Sequence, residues 1–121
     1  MTVKSSQPRK QRKVLYNCPQ HKKRKLLSAR LSKALRSEHK RRNFPLRKND
    51  KVKVMSGKWA GKEGKIIKID MKKIMARIDG INVKAGKKEK PLAIEPSKLM
   101  IMELDLSDPK RKAALGNKQV K

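Results

Sequence analysis

Lys48-Asn49-Asp50-Lys51-Val52-Lys53-Val54-Met55-Ser56-Gly57-Lys58-Trp59-Ala60-Gly61-Lys62-Glu63-Gly64-Lys65-Ile66-Ile67-Lys68-Ile69 sets two alternating runs on either side of a lysine- and glycine-rich break. Val52 and Val54 alternate with Lys51 and Lys53, and Ile67 and Ile69 with Lys68 and Asp70, the period of a strand with one face buried. Ser56-Gly57, Gly61 and Gly64 supply turn chemistry between them. Gly61 and Gly64 are expected to take positive φ, which other residues enter at a cost. Lys58, Lys62 and Lys65 then project beside backbone that carries no side-chain bulk, so the loop can approach a phosphate backbone closely.

Downstream the same period continues. Ile74, Ala76 and Ile78 form one apolar face, Ile81 and Val83 another, and Leu99 and Ile101 a last one. Asp79-Gly80 and Ala85-Gly86 read as turns between them. Five short strands with tight turns predict a small barrel or sandwich over residues 49–105. Few residues are aromatic, so the core must be small and built from Ile, Val, Leu and Met.

Upstream, residues 26–48 read as a helix and linker. Leu27, Leu31, Ala34 and Leu35 recur at helical spacing, Ser28 is placed to cap, and Pro45 stops a helix expected over Leu27–Arg42. Arg30, Lys33, Arg36 and Lys40 then point away from the apolar stripe, and Arg30, Arg36, Arg41 and Arg42 are candidate RNA contacts. Residues 1–25 form a basic arm expected to be extended, with Arg9, Lys10, Arg12, Lys13, Lys22, Lys23, Arg24 and Lys25 as its cations. It holds too little apolar surface to offset its ordering entropy, so order is expected only on an anionic surface. Residues 106–121 read as a tail opening with a short helix: Ser107 or Asp108 caps it, Pro109 sits in the first turn and Gly116 ends it.

The charge names the class of partner. The chain carries 36 Lys and Arg against 10 Asp and Glu, a net +26 on 121 residues. Residues 1–48 hold 17 of those cations against Glu38 alone. Self-repulsion of this density opposes compaction and calls for a polyanion. Nucleic acid fits, because each contacted phosphate releases a counterion. No apolar run approaches the roughly 18 residues of a membrane span, and no apolar stretch of signal-peptide kind follows the basic start. Cys18 stands alone, which points to a reducing cytosol. Cys18 and His21 have the spacing of half a zinc site, but only His39 remains to complete it, so no metal is expected. No nucleophile, base and acid grouping stands out, and the phosphate-loop spacing is absent, so neither an enzyme nor a cofactor is expected.

The segment from Lys48 closely resembles a KOW motif, whose glycine matches Gly64. Ala76-Arg77-Ile78-Asp79-Gly80-Ile81-Asn82 and Glu95-Pro96-Ser97-Lys98-Leu99-Met100-Ile101 resemble the strands that follow it in one family. Leu27-Ser28-Ala29-Arg30-Leu31-Ser32 with Leu35-Arg36 resembles the N-terminal extension of that family's archaeal and eukaryotic branch. Over roughly Lys10 to Lys112 the chain is similar to the large-subunit ribosomal protein L-twenty-four family, L-twenty-six in eukaryotes.

The resemblance implies a mainly β fold. It would be a small SH3-like five-stranded barrel with a basic N-terminal extension containing one helix and a short C-terminal helix. It implies a cytoplasmic structural protein of the large ribosomal subunit, bound to large-subunit rRNA near the 5′ domain and the peptide tunnel exit, and active early in subunit assembly. Neighbouring ribosomal proteins are the other expected partners. Membrane, small-molecule substrate and homo-oligomer are not expected. Trp59 stands where the family often has Lys or Arg; it either stacks on an unpaired base or covers the open end of the barrel. Lys84, Lys87 and Lys88, with Lys90, form a second basic loop around Gly86. Two other readings remain: a KOW-type transcription elongation factor, and a basic DNA-binding protein.

Overall fold

A computed structural model of the chain describes residues 4–116. Residues 1–3 of the expected arm and 117–121 of the expected tail lie outside the described residues. The elements are α1 (Pro8–Asn17), α2 (Gln20–Leu26), β1 (Ser28–Leu31), α3 (Lys33–His39), β2 (Asn43–Pro45), β3 (Lys51–Val54), β4 (Glu63–Asp70), β5 (Met75–Ala85), β6 (Lys88–Ile94), a 3-10 turn (Pro96–Lys98), β7 (Leu99–Glu103) and α4 (Pro109–Gly116).

The protein is mainly β, but it has seven strands where the sequence reading expects five. They form one open sheet in the order β2-β1-β7-β3-β4-β5-β6, not a closed barrel. Both edges carry a proline, Pro45 in β2 and Pro91 in β6, where a missing N–H costs no ladder bond. β6 adds Lys88, Glu89 and Lys90, charges that discourage edge-to-edge pairing.

Three expectations about individual strands change. The helix expected over Leu27–Arg42 is strand at its start. Leu27, Ala29 and Leu31 are 1%, 2% and 1% exposed, while Arg30 between them is exposed, a period of two rather than 3.6. β1 pairs parallel with β7 and antiparallel with β2, contacts no local pattern could announce. The helix that remains, α3, starts at a different serine: Ser32 accepts from the Leu35 N–H at 3.4 Å. It ends on Lys40 in the left-handed region, φ 53°.

The second change is one of register. Ile66, not Ile67, enters the core, at 1% against 39% exposure. The pairing of β4 with β5 shifts between Ile66 and Lys68, so Ile67 is the extra residue of a bulge and turns outward. The third concerns β5, an 11-residue strand through Asp79-Gly80, which is a bend and not a turn. Gly80 takes φ 82°, and partners jump from Arg77↔Ala93 to Asn82↔Pro91. Past the bend Ile81 is buried, but Val83 is 42% exposed and leaves the core.

The core gathers Ala29, Leu31, Phe44, Leu46, Val52, Val54, Ile66, Ala76, Ile78, Ile81, Ile94, Leu99, Ile101 and Leu115. None of the described methionines is fully buried, so branched aliphatics fill the interior without them. The arm, expected to be extended, forms two helices. Pro8 opens α1, and extended Cys18 before Pro19 separates it from α2. α1 buries no residue. The arm is tied to the sheet through Lys23, 8% exposed, whose Nζ donates to the Tyr16 and Lys72 carbonyls at 3.4 Å each. The C-terminal helix begins at Pro109, where the sequence places it, and is described as far as Gly116.

Candidate nucleic-acid interface

The β3–β4 loop is a tight platform. The Val54 N–H donates to Lys62 O at 2.9 Å and the Gly61 N–H to Val54 O at 2.7 Å, closing its base. The Met55 N–H donates to Lys98 O at 2.8 Å, joining the loop to the 3-10 turn. Gly57 and Gly61 take φ 92° and 88°, which this closure requires. Lys58, Lys62 and, at the start of β4, Lys65 are exposed. Trp59 is half-buried and packs against the core. The Lys62 and Lys58 Nζ atoms lie 4.4 and 5.7 Å from its ring centroid. The ring's quadrupole thus helps hold two cations at one spot.

Gly64 is needed for a different reason from the one the sequence suggests. It does not take positive φ. A Cβ there would lie 2.4 Å from Asp79 O and 2.7 Å from Ile78 Cγ2. The motif glycine therefore lets the bent β5 cross close to β4, and the bend carries the second basic element.

That element is a ribbon and not a loop. Lys84 and Lys88 lie on β5 and β6 beside the Gly86-Lys87 turn, with Ala85 opposite Lys88. Residues 82–90 are exposed throughout, so Lys84, Lys87, Lys88 and Lys90 project past the core on a two-stranded finger.

Arg9, Lys10, Arg12 and Lys13 are exposed on α1, and Lys22, Arg24 and Lys25 on α2. Arg30 and Arg42 are exposed beside β1 and β2. Three expected contacts are drawn inward. Lys23 is used within the fold, as described. Arg41 donates to Ala114 O and lies 5.7 Å from the Phe44 ring centroid. Arg36 is half-buried, with its Nε enclosed.

The sequence reading missed what fixes the C-terminal helix beneath these cations. Asp50 is 0% exposed and Arg111 4%. The two guanidinium nitrogens donate to the Asp50 carboxylate at 2.7 and 2.6 Å, a bidentate pair. Asp50 also accepts from the Arg47 and Asp105 N–H groups at 3.0 Å each. Arg111 donates further to Asp105 O at 2.7 Å and Pro45 O at 3.0 Å, and its guanidinium lies 5.2 Å from the Phe44 centroid. The only local signal was an acid beside a strand in a basic chain, its partner standing 61 residues away.

Partly exposed carboxylates do smaller tasks. The Arg47 guanidinium holds Asp108 below the ordinary carboxylate range, the Ser107 N–H does so for Asp105, and the Lys73 N–H for Asp70. Lys51 sits 3.8 Å from Glu63 and 3.6 Å from Glu103, so part of the β3–β4 surface is already neutralised. Among the described residues no three His, Cys, Asp or Glu side chains gather where a metal could sit. No helix among them is long and apolar enough to cross a membrane.

The arrangement is a folded mount presenting cations on a loop, a ribbon and two helices. A family model for ribosomal proteins, the eukaryotic L-twenty-six and its archaeal L-twenty-four counterpart, matches residues 5–118. The large ribosomal subunit protein uL24 of Korarchaeum cryptofilum (strain OPF8) is 46% identical over 122 residues, covering 100% of this chain and 93% of that one. The protein of the same name from Methanothrix thermoacetophila (strain DSM 6194 / JCM 14653 / NBRC 101360 / PT) is 44% identical over 108 residues, covering 88% and 93%. With a family model matching residues 5–118 and both relatives sharing more than two fifths of their aligned residues with it, the chain belongs to the ribosomal protein family called L-twenty-six in eukaryotes and L-twenty-four in archaea.

Proposed function

We propose that the chain is a structural constituent of the large ribosomal subunit in the cytoplasm, where it binds large-subunit rRNA and adjoins other ribosomal proteins. It is not an enzyme; its work is binding. The observation that carries the reading is the family match joined to cations exposed on separate elements: Lys58 and Lys62, the Lys84–Lys90 ribbon, and α1 and α2. Phosphate contacts of this kind position a protein without reading base sequence, so specificity comes from RNA shape.

The finer reading divides the work. Strands β3 to β7, ordered β7-β3-β4-β5-β6, serve as the SH3-like unit, although the sheet stays open. Residues 1–25 serve as the RNA-binding arm, 26–48 link the arm to the sheet, and α4, within the segment 106–121, braces it. The family resemblance further implies a place near the rRNA 5′ domain and the tunnel exit, and an early role in assembly. A membrane, a small-molecule substrate and a second copy of the chain have no part in the proposal.

The test is binding to large-subunit rRNA fragments as salt is raised. The slope of log K against log salt is expected to be steep, and Lys58→Gln with Lys62→Gln to reduce it by about one for each lost phosphate contact. A slope near zero, or sedimentation away from large subunits, removes the reading.

A further inference from the structure

A second concentration of positive charge lies on the far side of the Asp50–Arg111 pair, in a cleft of about 240 Å³ between α2, β2 and α4. Its cations are Arg24, Arg41, Arg47, Lys110 and Arg111, over a floor made by Phe44. Two are already matched: Arg111 by Asp50, and Arg47 by Asp108. Among the described residues no carboxylate pairs with Arg24 or Arg41, and Lys110 shares with Arg47 the one nearby carboxylate, Asp108, so the cleft carries more positive charge than its acids offset. Arg41 is held in place through Ala114 O, and its Nε finds no acceptor.

The shape of the floor narrows the ligand. Phe44 is only 5% exposed, and its ring lies within 5.7 Å of one guanidinium and 5.2 Å of another. No aromatic face is left on which a base could stack. What remains is a pocket of forked donors anchored to backbone carbonyls, the arrangement that suits a phosphate's equatorial oxygens.

We propose that this cleft is a backbone-phosphate clamp that takes a phosphodiester of the bound RNA and reads no base. It deepens the rRNA-binding reading and rests on it. The clamp bridges the basic arm and the C-terminal helix, so filling it would lock both to one RNA strand. Residues 110 and 114 come from α4 and residue 24 from α2, so the clamp exists only once Arg111 has docked α4.

The test uses the full chain with Arg24→Gln and Lys110→Gln, both exposed positions, against an rRNA fragment and an unrelated structured RNA. The double variant is expected to melt with the parent, to lower the salt slope by about two, and to weaken both RNAs by the same factor. In parallel, the Arg41 Nε–Hε NMR signal is expected to shift with RNA and not with inorganic phosphate at equal phosphate concentration. An unchanged slope while Lys58→Gln with Lys62→Gln lowers it overturns the clamp and leaves the rRNA reading standing. An equal shift with inorganic phosphate makes the cleft a free-anion site and also overturns the clamp. Absence of any salt-dependent RNA binding by the parent chain overturns both.

Discussion

Replacing Arg111 by methionine keeps most of the volume of the side chain and removes its charge and its hydrogen-bond donors. Asp50, 0% exposed, then loses two short guanidinium bonds and keeps two N–H donors, from Arg47 and Asp105. Breaking one side of a buried pair costs about 3–5 kcal/mol, because the survivor stays buried and uncompensated. The Pro45 and Asp105 carbonyls lose a donor as well, and α4 loses the residue that docks it. Against the roughly 5–15 kcal/mol that a whole domain commands, this is a large fraction. With m near 2 kcal/mol/M, the urea midpoint should fall by about 2 M at constant ionic strength. Asp50→Leu alone should cost a similar amount. The two changes together should cost about 2 kcal/mol less than the sum, since no charge is then stranded, although two N–H groups still lack acceptors. A single-variant cost below about 1 kcal/mol, or strict additivity of the pair, would falsify the account of Arg111 as the anchor of the C-terminal helix.

Gly64→Ala should lose about 1–3 kcal/mol by the same urea assay: the new Cβ meets Asp79 O at 2.4 Å, and overpacking outweighs the entropy gained from alanine. Gly86→Ala meets nothing within 4 Å, so its cost should be confined to the left-handed backbone, about 1–2 kcal/mol; a Gly64→Ala cost below about 1 kcal/mol would remove the close-approach argument. Acid should unfold the protein in a defined window. Asp70, Asp105 and Asp108 have folded pKa values below their unfolded ones, so their contribution is fully present above about pH 4 and lost as pH falls through the lowered values. Thermal midpoints should be level from pH 7 to 5 and then drop; a drop already complete by pH 5 contradicts these assignments.

The alternating valines and isoleucines, the glycine breaks and the Pro109 helix were readable because each is a local pattern: period two marks a half-buried strand, and proline and glycine mark ends. The family resemblance rested on the same local residues. So did the density of cations, which called for a polyanion before any fold was known. Ile67 was misplaced because a bulge inverts the alternation at a single residue, and only the partner strand says where the extra residue goes. β1 was read as helix because Leu27, Leu31 and Leu35 satisfy the helical period as well as Leu27, Ala29 and Leu31 satisfy the strand period. β6 went unread because its charges and Pro91 suit an exposed edge and bury little.

Which cations remain free for a ligand was decided only in three dimensions. Lys23 and Arg111 are indistinguishable in sequence from Lys22 and Arg9, yet the fold uses the first two internally. Burial in each case depends on a carbonyl or carboxylate brought from a distant segment: Lys72 for Lys23, Asp50 for Arg111. Charge is carried by residue type and so is written along the chain. Pairing depends on distances that close only when the sheet does, and the division between mount and binding surface is made at that point.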